Sequence, residues 1–531
     1  MATDEQRIIS AKKSELMKEL ISSDLYGKNI YLLGSAEFGP TNEPILVKST
    51  VGLYNKFGKQ GTLIDAFHCI KYVNRNNNVY IVKTTGDHST LYLNINIYGG
   101  EVIQEGLVFS ASESNEIYND IKVTIDIDNI KFSFPEEFNM QDKIYYFKDY
   151  PTIERLCTQI NKETQDRKNK IYAYYEVDPA TPTEGAFYNC NKTTNYFYGG
   201  YCGLNYTKDM LYNCLDRTYE ILESENIDFI IPVDAMLDDI YPDDSEEEYA
   251  GYNKKYYHSD KDYLMPTTEN KYRSYLNQLL NFCIKQLNYG VVTYGIIGYN
   301  NLYTNDYLYE ADEVKDMLIN CLNWNLEMLD NPYYKFMIIV TAGDLKYNYG
   351  TVITNSCYAY ASLASNIRII DGTTNVPIEN TQLYTEFSEE ALQELNDYGI
   401  LAFRQSPLYE KPVVYNGVTL SENKDLKLFV NTRMIQMAII YLNKLFQFYI
   451  GQNMHEMIRS GSLKSDSTEI LHALQNRDVL TYYKIDFVPY YYENLIKVKL
   501  NLMTNYMTQA ITVFSEIESF LEEEEWRILE N

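Results

Sequence analysis

The chain has 531 residues, 45% of them hydrophobic and 23% charged, with a formal net charge of −28, which is enough to bury a large core in about two to four domains. Such acidity argues against a nucleic-acid binder, which needs a basic footprint, and against docking on an anionic membrane. Tyrosine occurs 53 times against two tryptophans; an AT-rich coding bias accounts for this, or surfaces that are wet before assembly and buried after it.

Residues Thr3 to Ser22 are expected to form an amphipathic helix with Ile9, Leu16, Leu20 and Ile21 on one side. The opening MATDEQRIISAKKSEL is charged and holds no apolar core, so no secretory leader is expected. No uninterrupted apolar run reaches the roughly 18–20 residues that span a bilayer. From Asn29 the pattern changes to NIYLLG, a buried strand running into the turn-rich stretch Gly34 to Pro44. ILVKS reads as a strand, Leu63 to Tyr72 as a helix, and NVYIVKTT as another strand. Residues 91–150 alternate as strands without a helical signal, as in Val123-Thr-Ile125-Asp-Ile127-Asp and Lys131-Phe-Ser-Phe134.

From Thr207 the pattern alternates helix and strand. Thr207–Leu222, 271–287 and Asp306–Leu329 read as helices; Ile227–Val233, Val291–Ile297 and Lys335–Thr341 read as strands. Such alternation predicts parallel strands covered by helices. A helix is expected near Glu389–Tyr398 and a longer one over Asn431–Ile450, mostly apolar around a narrow stripe of Arg433, Gln436, Asn443, Lys444 and Gln447. Leu480–Phe487, Leu495–Met503 and Ala510–Ile517 read as strands, and Glu518–Asn531 is an acidic tail.

Chemistry-bearing motifs are weak. Gly34-Ser-Ala-Glu-Phe-Gly39 resembles the start of a P-loop but continues as Pro40-Thr41, without the lysine that would meet a phosphate. Tyr198-Gly-Gly-Tyr-Cys-Gly203 precedes a helix, as a phosphate-binding turn would, yet lacks GxGxxG spacing; a tight turn between domains is the favoured reading. The run Asp243–Glu248 lacks the alternation and turn glycine of a calcium loop and reads as a solvated surface. The eight cysteines (Cys69, Cys157, Cys190, Cys202, Cys214, Cys283, Cys321 and Cys357) contain no CxxC pair, so free thiols are expected rather than a zinc site or disulfide framework. Sequons at Asn191 and Asn205 carry no weight for a protein made in the cytoplasm. No catalytic set, cofactor or metal site is expected.

Several segments, in order, resemble the contractile-tail sheath family. Gly34–Gly58 (GSAEFGPTNEPILVKSTVGLYNKFG) is similar to its N-terminal signature of small residue, Gly-Pro turn and a strand leading to Phe-Gly, and Leu63–Lys83 to the helix and strand that follow. Tyr198–Ala235 resembles its glycine turn, helix and Pro-ended strand, and Gly350–Asn366 its small-residue helix. Leu392–Pro407, Tyr415–Leu420 and Phe429–Phe448 are similar, in order and spacing, to its C-terminal domain. Two departures stand out: the first residues look helical where the family has an extended arm, and Asn416-Gly-Val-Thr-Leu420 lacks the family's arginine.

The resemblance implies a multi-domain α/β fold (mixed α+β), with an inner αβ domain built from both termini, a middle α/β sandwich and an outer β-rich insertion. The corresponding boundaries are a helical arm at 1–28, the inner domain's first part at 29–90, the outer insertion at 91–190, the middle domain at 191–380, the inner C-terminal domain at 381–517 and the tail at 518–531. It implies a non-enzymatic subunit that stacks with itself in hexameric rings or a helical array. Its partners would be a tail tube protein, baseplate and tail terminator proteins, and its place the tail of a virion assembled in a host cytoplasm. The ligand-binding or enzymatic alternative would use the 207–341 unit. Candidate subunit contacts are Leu495, Val498, Leu500, Leu502, Ile511 and Val513, since alternating apolar and basic residues suit a shared edge strand. Candidate tube-facing residues are Arg433, Gln436, Asn443, Lys444 and Gln447, against the alternative that this helix belongs to the core.

Overall fold

A computed structural model of the chain describes residues 12, 14–18, 20, 27–86, 88–97, 102–113, 115–187, 194–200, 203–237, 241–242, 249–251, 272–299, 311–347, 352–406, 408, 410–490 and 495–504. Its centre is a seven-stranded sheet in the order Ile45–Val47, Asn78–Lys83, Asn29–Gly34, Phe229–Pro232, Tyr294–Gly298, Ile338–Thr341, Ile400–Leu401. All neighbours are parallel except the first pair, in which Ile45–Val47 runs against Asn78–Lys83. NIYLLG, FIIP, YGIIG and IIVT are near-continuous apolar runs because both faces of the sheet are covered, as a parallel sheet requires.

The strand period of two divides those side chains between two cores. Tyr31, Leu33, Ile230, Ile297, Ile338 and Val340 meet Leu215 and Tyr219, Leu279 and Cys283, Leu318 and Leu322, and Leu392 and Leu395 on one face. These come from the helices Lys208–Leu222, Tyr275–Asn288, Ala311–Glu327 and Glu389–Asp397. Ile30, Leu32, Phe229, Ile231, Ile296 and Ile339 meet Leu63, Phe67, Tyr360, Ala361 and Phe429 on the other. There the helices Thr62–Val73 and Cys357–Ala364 are tied by Ser362, whose hydroxyl donates to the Ile70 carbonyl at 2.9 Å and accepts from the Asn77 amide at 2.7 Å. Serine N-caps begin several helices: Ser49 accepts from Gly52 N–H, Ser274 from Asn277 N–H and Ser388 from Ala391 N–H, each worth about 1 kcal/mol.

Two further cores flank this body. The outer β unit packs a three-stranded sheet, a four-stranded sheet and the helix Ile153–Gln165 around Leu107, Phe109, Phe132, Leu156 and Ile160. The C-terminal unit gathers the helices Phe429–Gln447, Met454–Ser460 and Ser462–Asn476 and a long hairpin, with Leu16 and Leu20 of the N-terminal helix buried among them.

The sheet redraws the expected boundaries. Asn29–Gly34 pairs with Asn78–Lys83 on one side and with Phe229–Pro232 on the other. Strands Asn29–Gly34, Ile45–Val47 and Asn78–Lys83, strands Phe229–Pro232, Tyr294–Gly298 and Ile338–Thr341, and Ile400–Leu401 therefore share one sheet, instead of dividing between an inner and a middle domain. The insertion, for its part, runs on past 190, since Thr194–Tyr196 pairs with Lys122–Ile125 and Tyr198 bridges to Thr90. Thr50–Phe57, expected within an extended signature, is a helix capped by Ser49 and ended by Gly58 at φ 86. The helix Ile153–Gln165 and the pair spanning Met454–Asn476 also had no counterpart in the sequence reading.

Candidate assembly interface

The place where a doubly wound sheet usually takes a ligand lies beyond the carboxyl ends of its strands, where the connections diverge to opposite sides. Here that point falls between Asn29–Gly34 and Phe229–Pro232. It is closed by Tyr206, 2% exposed, whose hydroxyl is hydrogen-bonded with the side chains of Asp234 and Ser35. Burial, reinforced by the Asp234 charge, holds that phenol neutral, well above its usual pKa. Ser35 N–H donates to Thr62 Oγ1 at 3.1 Å, and a Cβ on Gly34 would stand 2.9 Å from the same oxygen.

The glycine motifs are used internally. Glu37 and Phe38 N–H groups donate to the carbonyls of Gln60 and Phe57, so the Gly34–Gly39 turn holds its own chain. Gly203, at φ +78, accepts from Thr85 Oγ1 at 2.6 Å, and a Cβ there would lie 2.4 Å from the Thr85 carbonyl carbon. The turn before the helix Lys208–Leu222 thus packs backbone on backbone and delivers Tyr206 into the crevice. Among the described residues no group of three or more His, Cys, Asp or Glu is placed to hold a metal ion. Residues 243–248 lie outside the described residues.

The C-terminal unit offers a different kind of surface. Leu480–Tyr490 and Leu495–Thr504 pair antiparallel from Leu480↔Thr504 to Tyr490↔Leu495, with a bulge between Leu480 and Tyr482. This sheet has two strands, and neither outer edge is paired with any described strand. Ile485 is buried, and Tyr483, Phe487, Ile496, Leu500 and Leu502 lean on the helices; the opposite face carries Lys484, Lys497 and Lys499. Among the candidate contacts, Leu500 and Leu502 pack partly against the core, while Leu495 and Val498 are exposed at 42% and 37%. Ile511 and Val513, with the expected strand Ala510–Ile517, lie outside the described residues.

The polar stripe of the long helix Phe429–Gln447 splits in two. Asn443, Lys444 and Gln447 are exposed. Arg433 and Gln436 are buried at 5% and 3%, so within this chain they present nothing to a tube and are core residues. Arg433 donates to the carbonyls of Ala364 and Ile367, at the C-terminus of Cys357–Ala364, and its guanidinium lies 5.2 Å from the Phe429 ring centroid. The Gln436 amide is hydrogen-bonded to no described group.

Beside Arg433 a cleft of about 400 Å³ opens between the sheet and the helix, lined by Asp228, Phe229, Val292, Tyr294, Met437 and Tyr441 among others. Burial pushes the Asp228 carboxyl up to about 6, against the opposing Asn29 N–H bond and Arg433 charge. Burial also lowers Arg433, against the opposing charge of the Asp228 carboxylate. The sequence missed this network because the carbonyls that Arg433 caps lie 66 and 69 residues away. It missed the helices over Met454–Asn476 although two signals were present: Asn453 caps Met454–Ser460, and Gly461, at φ 68, separates the two.

No family model and no curated protein matches the chain. Solved structures do. A sheath tail protein of Listeria innocua superposes with a TM-score of 0.50 at 11% identity, covering 94% of this chain and 96% of that one. A sheath tail protein of Desulfitobacterium hafniense gives 0.44 at 10% identity over 91% and 98%, and the contracted helical sheath of the anti-feeding prophage 0.38 at 10% over 60% and 79%. The chain thus has the fold of the Listeria sheath tail protein along nearly its whole length, the fold that the resemblance in its sequence implied.

Proposed function

We propose that this chain is a structural subunit of a contractile tail sheath, polymerising as helically stacked rings around a tail tube and contracting to drive that tube through a host envelope. The observation that carries this reading is the two-stranded hairpin, open on both edges among the described residues. It stands in a chain with the fold of a sheath tail protein. An open edge offers a row of backbone donors and acceptors that an extended segment of a neighbouring copy can satisfy, with alternate side chains setting the register. Leu495, Val498, Leu500 and Leu502 would lie in that contact, with Ile511 and Val513 on the segment that follows.

In this reading the work requires no fuel site. Subunits assemble in a kinetically trapped arrangement, and its release switches many copies together between two packings. The exposed stretch Asn443, Lys444 and Gln447 is the remaining candidate for the tube side. The protein would act without enzymatic activity, in a virion tail assembled in a host cytoplasm with tube, baseplate and terminator proteins. Leu16 and Leu20, from the N-terminal helix, dock on the C-terminal core.

Negative-stain microscopy of the purified chain tests this: tubes or stacked rings are expected, and a monomer that stays inert at high concentration contradicts it. A sheath-like ring of baseplate, neck or collar that does not contract would give closed rings that never extend into tubes.

A further inference from the structure

The outer β unit carries an exposed, tyrosine-rich sheet face. Its three-stranded sheet pairs Thr90–Asn96 with Val102–Ala111, and Val102–Ala111 with Ile171–Tyr175. Leu91, Leu93, Leu107, Phe109 and Ala173 turn inward and fix one face in the core. On the opposite face the register aligns Tyr92, Val108 and Tyr174 in one row and Thr90, Ser110 and Tyr172 in the next. A further antiparallel bridge sets Tyr198 opposite Thr90, with reciprocal backbone hydrogen bonds of 2.9 and 3.0 Å. The Tyr198 and Tyr92 ring centroids lie 6.2 Å apart.

The result is a shallow trough. Tyr172 and Tyr174 form one wall, Tyr92 and Tyr198 the other, and Val108, Ser110 and Thr90 the floor. At about 4.8 Å between strands, the walls stand about 10–14 Å apart. Tyr92, Tyr174 and Tyr198 are 40%, 55% and 55% exposed, although phenols usually bury such area.

We propose that this trough binds a neutral polysaccharide. A phenol presents a flat π face to the C–H face of a pyranose ring and a hydroxyl to its rim. Walls on both sides with small, hydroxyl-bearing residues between them let a sugar chain lie along the central strand. Charge selects the class of ligand: no residue of the trough is charged, whereas the chain carries −28, so a polyanion is repelled and a polycation finds no counter-charge in the floor.

Size argues against a protein occupant. The exposed tyrosines offer on the order of 300 Å² of accessible surface, against roughly 800 Å² per partner in a stable protein interface. Val108 is the sole aliphatic residue of the trough, where the core of a protein interface is rich in apolar contacts. The trough is also pre-formed, because it stands on a sheet held from behind, and tyrosines lose little side-chain freedom on binding.

Affinity electrophoresis of the full-length protein in native gels containing soluble starch, hydroxyethyl cellulose, galactomannan or β-glucan tests this. At least one polymer should retard the wild type, and the double substitution Tyr92→Ala, Tyr174→Ala should weaken that retardation at least tenfold. The thermal melt and particle morphology of the variant should match the wild type. The single substitution Tyr174→Phe keeps the stacking face, and should retain most of the binding if stacking dominates. Migration unaffected by all four polymers overturns the proposal, as does retardation that survives the double substitution. A variant that binds normally but fails to assemble would instead make this face a contact between copies, and would also overturn it.

Discussion

The central sheet and the C-terminal hairpin are both built from apolar strands, yet they treat their edges and faces in opposite ways. In the sheet, Ile30, Leu32 and Leu33 are fully buried, and Asn29–Gly34 is paired on both sides and covered by helices above and below. In the hairpin, Leu495, Val498 and Met503 stay exposed, and both outer edges lack a described partner. A strand that is finished within its own chain contributes stability; one left open costs solubility unless another chain completes it. The difference separates strands completed within the chain from strands with edges left open among the described residues.

That contrast can be broken by substitution, beginning with the sheet. Leu32→Ala removes a fully buried side chain from a packed core and is expected to cost about 2–5 kcal/mol in denaturant unfolding. A loss below about 1 kcal/mol would mean the sheet is not the stabilising body. Gly203→Ala comes next: a Cβ at φ +78 would press on the Thr85 backbone, and a melt lowered by the equivalent of about 2–3 kcal/mol is expected. An unchanged melt would remove the account of the turn as a packing point.

The pH dependence sharpens the same boundary, since Asp228 lies at the foot of the sheet beside the long helix. Its folded pKa, about 6, lies above the unfolded value of about 3.9. The folded state therefore holds the proton more tightly. Stability from this group is fully present below about pH 4 and is lost as pH rises through 6, by on the order of 3 kcal/mol. Asp228→Asn should flatten the stability profile between pH 4 and 6; a profile equally steep in the variant would contradict the assignment. The smallest expected effect is that of Val498→Ala in the hairpin, under about 0.5 kcal/mol on folding. It should nonetheless raise the concentration needed for polymerisation several-fold, read by light scattering. A large fold defect without an assembly defect would reverse the roles assigned to the two regions.

Much of the sheet was legible in the sequence because strands buried on both faces read as continuous apolar runs, such as NIYLLG and YGIIG. The order of the strands was not. Ile30 pairs with Phe229 across an intervening β unit, and no local pattern records such a partner. The helix Thr50–Phe57 escaped because Val51 faces solvent and Gly52 weakens its periodicity. Arg433 and Gln436 looked like the polar side of an amphipathic helix. What holds Arg433 inside is the end of Cys357–Ala364, whose free carbonyls become visible only when the two helices meet. The hairpin was legible in its alternation of apolar and basic residues.

The central claim, that the C-terminal segment joins copies, is tested most directly by deleting Ala510–Asn531 and comparing sedimentation and thermal melting with the full chain. The account predicts large assemblies from the full chain, and from the truncated chain a small soluble species with the same melting temperature. Equal polymerisation by both would contradict it.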